Sequence, residues 1–351
     1  MKNLLFILLI LFFISCKNGK EFTIAVHLPS IIDNLKTESE IQDYIRTLDS
    51  NLNKYYLADY SRIITYSYPH IDSINRNYAK QLGIDKTFYK TDFNNDGYTD
   101  LLLIGGWLSG TIRNTPPNDF YQFNSQVVIN GGTERSKTYS IALDYNHSFV
   151  PQIVKTDSIP YLVLHYPQKL DTIFPSQKDS VQIKLFCKSG QFVELNTHPV
   201  KHHKIKKIEF TTNLWETAPS FQMVLNKNKE SWFIAIANNF EKNSYNEGAF
   251  KANVGGLYFD ELARLLNYID FENLPEDYSI YKTGPPSEAL RITYDNGKVK
   301  EIYNYAGAGT YGLQAVCNKI KELRSSQGWK PAKEPKNIRI PMPEQRLKWR
   351  V

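Results

Sequence analysis

The feature that most constrains this chain is a ten-residue run, Asp92-Phe93-Asn94-Asn95-Asp96-Gly97-Tyr98-Thr99-Asp100-Leu101. Oxygen-bearing side chains stand at positions 1, 3, 5 and 9, with glycine at position 6. Glycine allows a sharp reversal that other residues resist. Strand-like runs at residues 87–91 and 99–105 lie on either side, so the run closes a turn between two strands. The same spacing gathers Asp92, Asn94, Asp96 and Asp100 around one point, with the Tyr98 carbonyl at position 7. Three carboxylates and an amide are hard oxygen donors, which makes Ca2+ the expected cofactor rather than Zn2+. The competing reading is a solvated Asn/Asp turn, which has no need of acids at positions 1, 5 and 9 together.

Strand-like runs continue at residues 125–130, 139–143, 161–166, 181–187 and 191–195, separated by Gly, Asn, Pro or Asp. Two helices precede them. Thr37 and Glu40 form a capping-box pattern, followed by Ile41, Tyr44, Ile45, Leu48 and Leu52 at helical spacing. A second helix is predicted over residues 72–82, with Gly83 as its stop. Residues 31–200 are therefore expected to form a mostly antiparallel β domain with two leading helices. A polar, basic stretch at residues 196–204 marks a boundary. After it, residues 204–330 predict a β-β-β-α-β-β-α domain, with hairpin turns at residues 226–230 and at Asp295-Asn296-Gly297. The fold class expected for the whole is α+β. No internal repeat is evident, which argues against a multi-blade propeller.

The chain opens with Lys2 and an unbroken apolar run over residues 4–14, then Ser15 and Cys16. A run this short is a secretory leader rather than a membrane span, which needs about 20 residues. Residues 1–15 read as the leader and residues 16–30 as a tether. Phe13-Ile14-Ser15-Cys16 resembles a bacterial lipobox, which implies that Cys16 is acylated, with palmitate among the chains, and becomes the first mature residue. The expected location is the cell envelope, at the periplasmic face or the outer membrane, with the membrane engaged through the lipid anchor.

The formal charge is +6, and loss of Lys2 with the leader leaves +5. Residues 331–351 carry six basic and two acidic side chains and so hold +4 of it. The remaining body is close to neutral, which gives nucleic-acid binding no support. This tail is basic and Pro-rich, yet it includes Ile338, Ile340, Leu347, Trp349 and Val351. It reads either as an edge strand docked on its own domain or as a basic arm.

Two further resemblances concern the folded body. The run from Asp92 to Leu101 resembles the calcium loops of FG-GAP and VCBS-type repeats, over roughly residues 88–105. That likeness implies Asp92, Asn94, Asp96 and Asp100 as side-chain ligands. It is not an EF-hand, because position 12 is Leu103 rather than Glu. Residues 205–330 resemble a domain of unknown function common in bacterial lipoproteins. The residues that carry this likeness include Ile208-Glu209-Phe210-Thr211-Thr212, Tyr305 and Gly307-Ala308-Gly309-Thr310-Tyr311-Gly312-Leu313. No activity follows from it.

Cys187 and Cys317 fall on apolar faces of a strand and a helix, which favours buried thiols over a disulfide. His198, His202 and His203 sit among four lysines that would repel a cation, so a solvated linker is expected. Ala306-Gly307-Ala308-Gly309-Thr310 precedes a helix and reads as a tight connection, the alternative being an anion-holding turn. Trp107 and Trp215 are the aromatics placed near loops. No nucleophile elbow, zinc motif or catalytic constellation is present, so no catalytic residue is assigned. The expected function is a non-catalytic binding or assembly module with an envelope protein or glycan partner. The alternative is an exported hydrolase acting on glycans.

Overall fold

The computed structural model describes residues 25–62, 69–108, 120–132, 136–142, 149–156, 159–166, 181–213, 219–227, 230–239, 247–278 and 287–333. The expected leader, Cys16, Trp215 and the tail beyond Lys333 lie outside the described residues.

Among the described residues the first half has three α-helices: α1 (Ile31–Asn34), α2 (Glu38–Leu48) and α3 (Pro69–Leu82). Both predicted caps of α2 form, with Thr37 accepting from Glu40 N and the Glu40 carboxylate accepting from Thr37 N. Gly83 ends α3 at φ +68°. Among the described residues this half has eleven strands: β1 (Tyr55–Leu57), β2 (Phe88–Thr91), β3 (Asp100–Leu103), β4 (Gly105–Leu108), β5 (Phe120–Phe123), β6 (Gln126–Ile129), β7 (Lys137–Ser140), β8 (Val150–Val154), β9 (Tyr161–Tyr166), β10 (Val181–Lys188) and β11 (Gln191–Glu194), of which β1, β5 and β8 fall outside the seven expected runs. They form open antiparallel sheets ordered β1-β4-β5, β2-β3-β6-β7 and β11-β10-β9-β8.

One expected strand, at residues 99–105, divides into β3 and β4, which join different sheets. Gly105 explains the break. A Cβ there would lie 2.1 Å from the Tyr56 carbonyl oxygen, so only glycine lets β1 approach. In the β2-β3-β6-β7 sheet the central strands β3 and β6 are buried on both faces. Leu101, Leu103 and Val128 pack with Ile41 and Ile45 of α2. Leu102, Val127 and Ile129 pack instead with Leu162, Leu164 and Leu185 of the neighbouring sheet. Alternating residues thus serve opposite cores, as the period of two requires.

The second half contains β12 (Ile205–Asn213), β13 (Ser220–Asn226), β14 (Ser231–Ala237), β15 (Gly248–Ala252), α4 (Gly256–Tyr268), β16 (Asp277–Tyr278), β17 (Ser287–Tyr294), β18 (Lys298–Tyr305), α5 (Tyr311–Ser326) and β19 (Lys330–Pro331). The expected order holds, with β15, β16 and β19 added. One eight-stranded sheet runs β16-β18-β17-β12-β13-β14-β15-β19. Its Ile208, Phe210, Met223, Leu225, Phe233, Leu290 and Ile292 pack against Phe259, Leu262 and Leu266 of α4 and Leu313, Val316 and Ile320 of α5. The tail begins as an edge strand: Pro331 pairs with Phe250, and Ala332 N donates to Ala249 O at 2.9 Å. The class is α+β and mostly β, without a barrel. Among the described residues no helix is long and apolar enough to cross a membrane.

The turn between β17 and β18 takes positive φ at Asp295 (46°) and Gly297 (93°). Its Asp-Asn-Gly sequence suits that geometry because short polar residues and glycine tolerate the left-handed region.

Candidate metal centre

The Asp92–Asp100 loop joins β2 to β3 and leads into the buried centre of their sheet. Phe93 is wholly buried and meets the Phe192 ring edge-on at 5.4 Å, which pins the loop to β11. Asn95 (φ 56°) and Gly97 (φ 93°) supply the two left-handed positions that fold it back.

The side-chain oxygens of positions 1 and 3 converge. Asp92 Oδ1 and Asn94 Oδ1 both accept from Asp96 N, at 3.2 and 3.3 Å. Asp92 Oδ2 accepts from Gly97 N at 2.8 Å, and Asp96 Oδ1 from Tyr98 N at 2.8 Å. Asn94 Nδ2 donates to Asp96 Oδ2 at 2.8 Å. Asp100 differs from the half-buried Asp92 and Asn94 and from the exposed Asp96 because it is fully buried. Its two oxygens accept from Phe93 N and Asn130 N, each at 2.8 Å, and so tie the loop's start to the end of β6. Burial pushes its carboxyl up to about 8, against the pull of those two amides, and the charges of Asp96 and Asp92 push the same way.

As the side chains stand, the loop acids accept from backbone amides, those of the loop and that of Asn130. Among the described residues no group of three or more His, Cys, Asp and Glu side chains stands together as ligands. By chemistry these side chains are hard oxygen donors, the type a hard cation takes. Oxygens of Asp92 and Asn94 already point to one place, the Asp96 amide.

The loop is also a fastening point, which spacing alone did not reveal. Leu28 N donates to Gly97 O at 2.8 Å, and Ala25 N to Asn95 Oδ1 at 2.8 Å. A Cβ on Gly97 would lie 2.5 Å from Val26 O. Thr99 Oγ1 donates to Asp33 Oδ1, while Asp33 Oδ2 caps α1 by accepting from Ser30 N at 2.7 Å. Residues 25–30 thus lie strapped across the loop.

Other residues singled out from the sequence have structural partners. Cys187 and Cys317 are buried and free, and burial raises both thiols. His203 is not solvated. Its side chain is 14% exposed, with Nδ1 at 2.8 Å from Asp295 and Nε2 at 3.2 Å from Glu272. These acids lie far along the chain, so nothing in the residues around His203 points to them. Trp107 packs edge-on against Tyr55 at 5.0 Å.

The connection before α5 does hold an anion, and that anion belongs to the chain. Thr310 caps the helix by accepting from Leu313 N at 3.1 Å. The Glu194 carboxylate, from β11, accepts from Tyr311 N at 2.6 Å and Gly312 N at 2.8 Å. Tyr311 then enters the other half's core, where its hydroxyl donates to Ile141 O at 2.6 Å and meets the Tyr166 hydroxyl at 3.1 Å. Val193 of β11 enters the second half's core in exchange.

Residues 215–324 match the family described as Domain of unknown function (DUF6438). That span covers most of the second half and agrees with the resemblance read there. No curated protein and no solved structure matches the chain.

Proposed function

We propose that this chain is a lipid-anchored cell-envelope protein. Its first half is braced by one Ca2+ in an FG-GAP/VCBS-like loop, and the whole serves as a non-catalytic binding or assembly module. The observation that carries the cation is Asp100. A fully buried carboxylate beside two other carboxylates is costly to ionise, and a divalent ion offsets both burial and repulsion. Asp92, Asn94, Asp96 and Asp100 would hold it with side-chain oxygen and Tyr98 with its carbonyl. The ion would supply charge and cross-linking.

The binding-module reading draws on how the buried polar groups are used. Glu194 caps α5, and Asp100 bridges two amides. Glu288 accepts from Asn304 Nδ2 at 3.0 Å and Lys321 Nζ at 2.7 Å. Each serves packing between elements. The anchor reading draws on the Cys16 lipobox pattern and on the strap that fastens residues 25–30 to the folded body.

Two measurements test the proposal. Calorimetric titration of the full chain with Ca2+ should give one site that Asp96→Ala abolishes, and heatless titration would remove the cation. Mass spectrometry of the mature protein should find acyl chains on Cys16, and an unmodified N-terminus would remove the anchor.

A further inference from the structure

The strap has a second property. Val26 is 83% exposed, Leu28 39% and Ile31 60%. These are three of the seven large hydrophobic side chains left exposed among the described residues, and they fall within six consecutive positions. Single exposed apolar residues are ordinary, whereas a cluster marks a contact surface. The ridge is also held rigidly. Leu28 N and Ala25 N are bonded to the loop, Ser30 and Asp33 cap α1, and Lys90 Nζ donates to Asp33 O at 3.2 Å. Apolar groups fixed in place lose little conformational freedom on docking, so more of their transfer free energy remains for binding.

We infer that Val26, Leu28 and Ile31 form a ridge that seats in the lipid interface and sets how the folded body sits on its membrane. This deepens the proposed function and rests on the lipid-anchor reading. The occupant follows from the length of chain before the ridge. Cys16 precedes Ala25 by nine residues. Even fully extended, that segment spans no more than about 30 Å. The ridge is therefore always within reach of the acylated surface. Lys17 and Lys20 in the same stretch favour an anionic leaflet.

The test places an indole at the ridge of the lipidated full-length protein, using Val26→Trp and Ile31→Trp separately. The protein is reconstituted in phosphatidylethanolamine–phosphatidylglycerol vesicles, with and without brominated acyl chains. Leu257→Trp, at an 86% exposed position on α4, is the comparator, and wild-type emission is subtracted. Brominated lipid should reduce the added emission at least twofold at positions 26 and 31 and leave position 257 unchanged. Protein that floats with the vesicles and carries its acyl chains, but shows no quenching at 26 or 31, overturns the inference and leaves the ridge to solvent or a protein partner. Protein that neither floats nor carries acyl chains removes the anchor reading and this inference with it. The acyl mass separates the two failures.

Discussion

Glu194 Oε2 accepts the backbone N–H of Gly312 at 2.8 Å, although 118 residues separate them. The first turn of a helix leaves backbone donors without partners, and a carboxylate there is favoured by the helix dipole as well. Here the carboxylate comes from β11 of the other half, so the cap also joins the two halves. Glycine is needed at the contact, since a Cβ on Gly312 would lie 2.5 Å from the Ile269 side chain.

Glu194→Ala should lower stability by about 1–3 kcal/mol, because two helix N–H groups lose their acceptor. Burial raises the Glu194 carboxyl above its ordinary 4.5. A raised folded value stabilises at low pH, and that contribution is lost as pH rises through it. Relative to Glu194→Gln, the wild type should lose stability as pH rises above 4.5. Denaturant midpoints at several pH values check this, and parallel curves would refute it.

Tyr311→Phe should cost about 1–3 kcal/mol by leaving Ile141 O without its donor in a buried site. The same contact bears on the segment between the halves, where positions 197–199, 201 and 202 are exposed. Cleavage there should give two fragments that co-elute on a sizing column, held by Tyr311 and Glu194. Fragments that separate at once from nicked wild type would show the latch to be weak.

Calcium should stabilise the full chain by about 2.7 kcal/mol at a hundredfold excess over its dissociation constant. The effect should grow with pH. The metal-free Asp100 carboxyl sits near 8 against an ordinary 3.8. The metal-free protein therefore loses stability as pH rises through that interval, whereas bound Ca2+ favours the ionised form. Melting temperatures with calcium and with chelator should diverge from pH 5 to pH 8. A constant gap would count against Asp100 as a ligand.

Gly97→Ala should destabilise by about 1–3 kcal/mol through its positive φ alone. The added Cβ also strikes Val26 O, so the strap should lift. Hydrogen exchange at the Leu28 amide, whose N–H bonds Gly97 O, should be slow in the wild type and fast in the variant. Unchanged protection would show that the strap is held from elsewhere.

Features built within a few residues are legible in the amino-acid sequence by itself. Thr37 and Glu40 announce their cap, Gly83 its helix stop and Asp295–Gly297 its hairpin. The turn between β2 and β3 is equally plain from glycine and its flanking strand runs. In each case the interacting groups are neighbours along the chain, so their spacing encodes the geometry. The split of β3 from β4 at Gly105, the Glu194 cap, the Tyr311 and Val193 exchange and the strap on Gly97 leave no such trace. Their partners lie roughly 50 to 170 residues away. Residue type at either end states what a group needs, a donor, an acceptor or burial. Which distant group meets that need is settled only when the sheets and helices pack and bring particular atoms within reach.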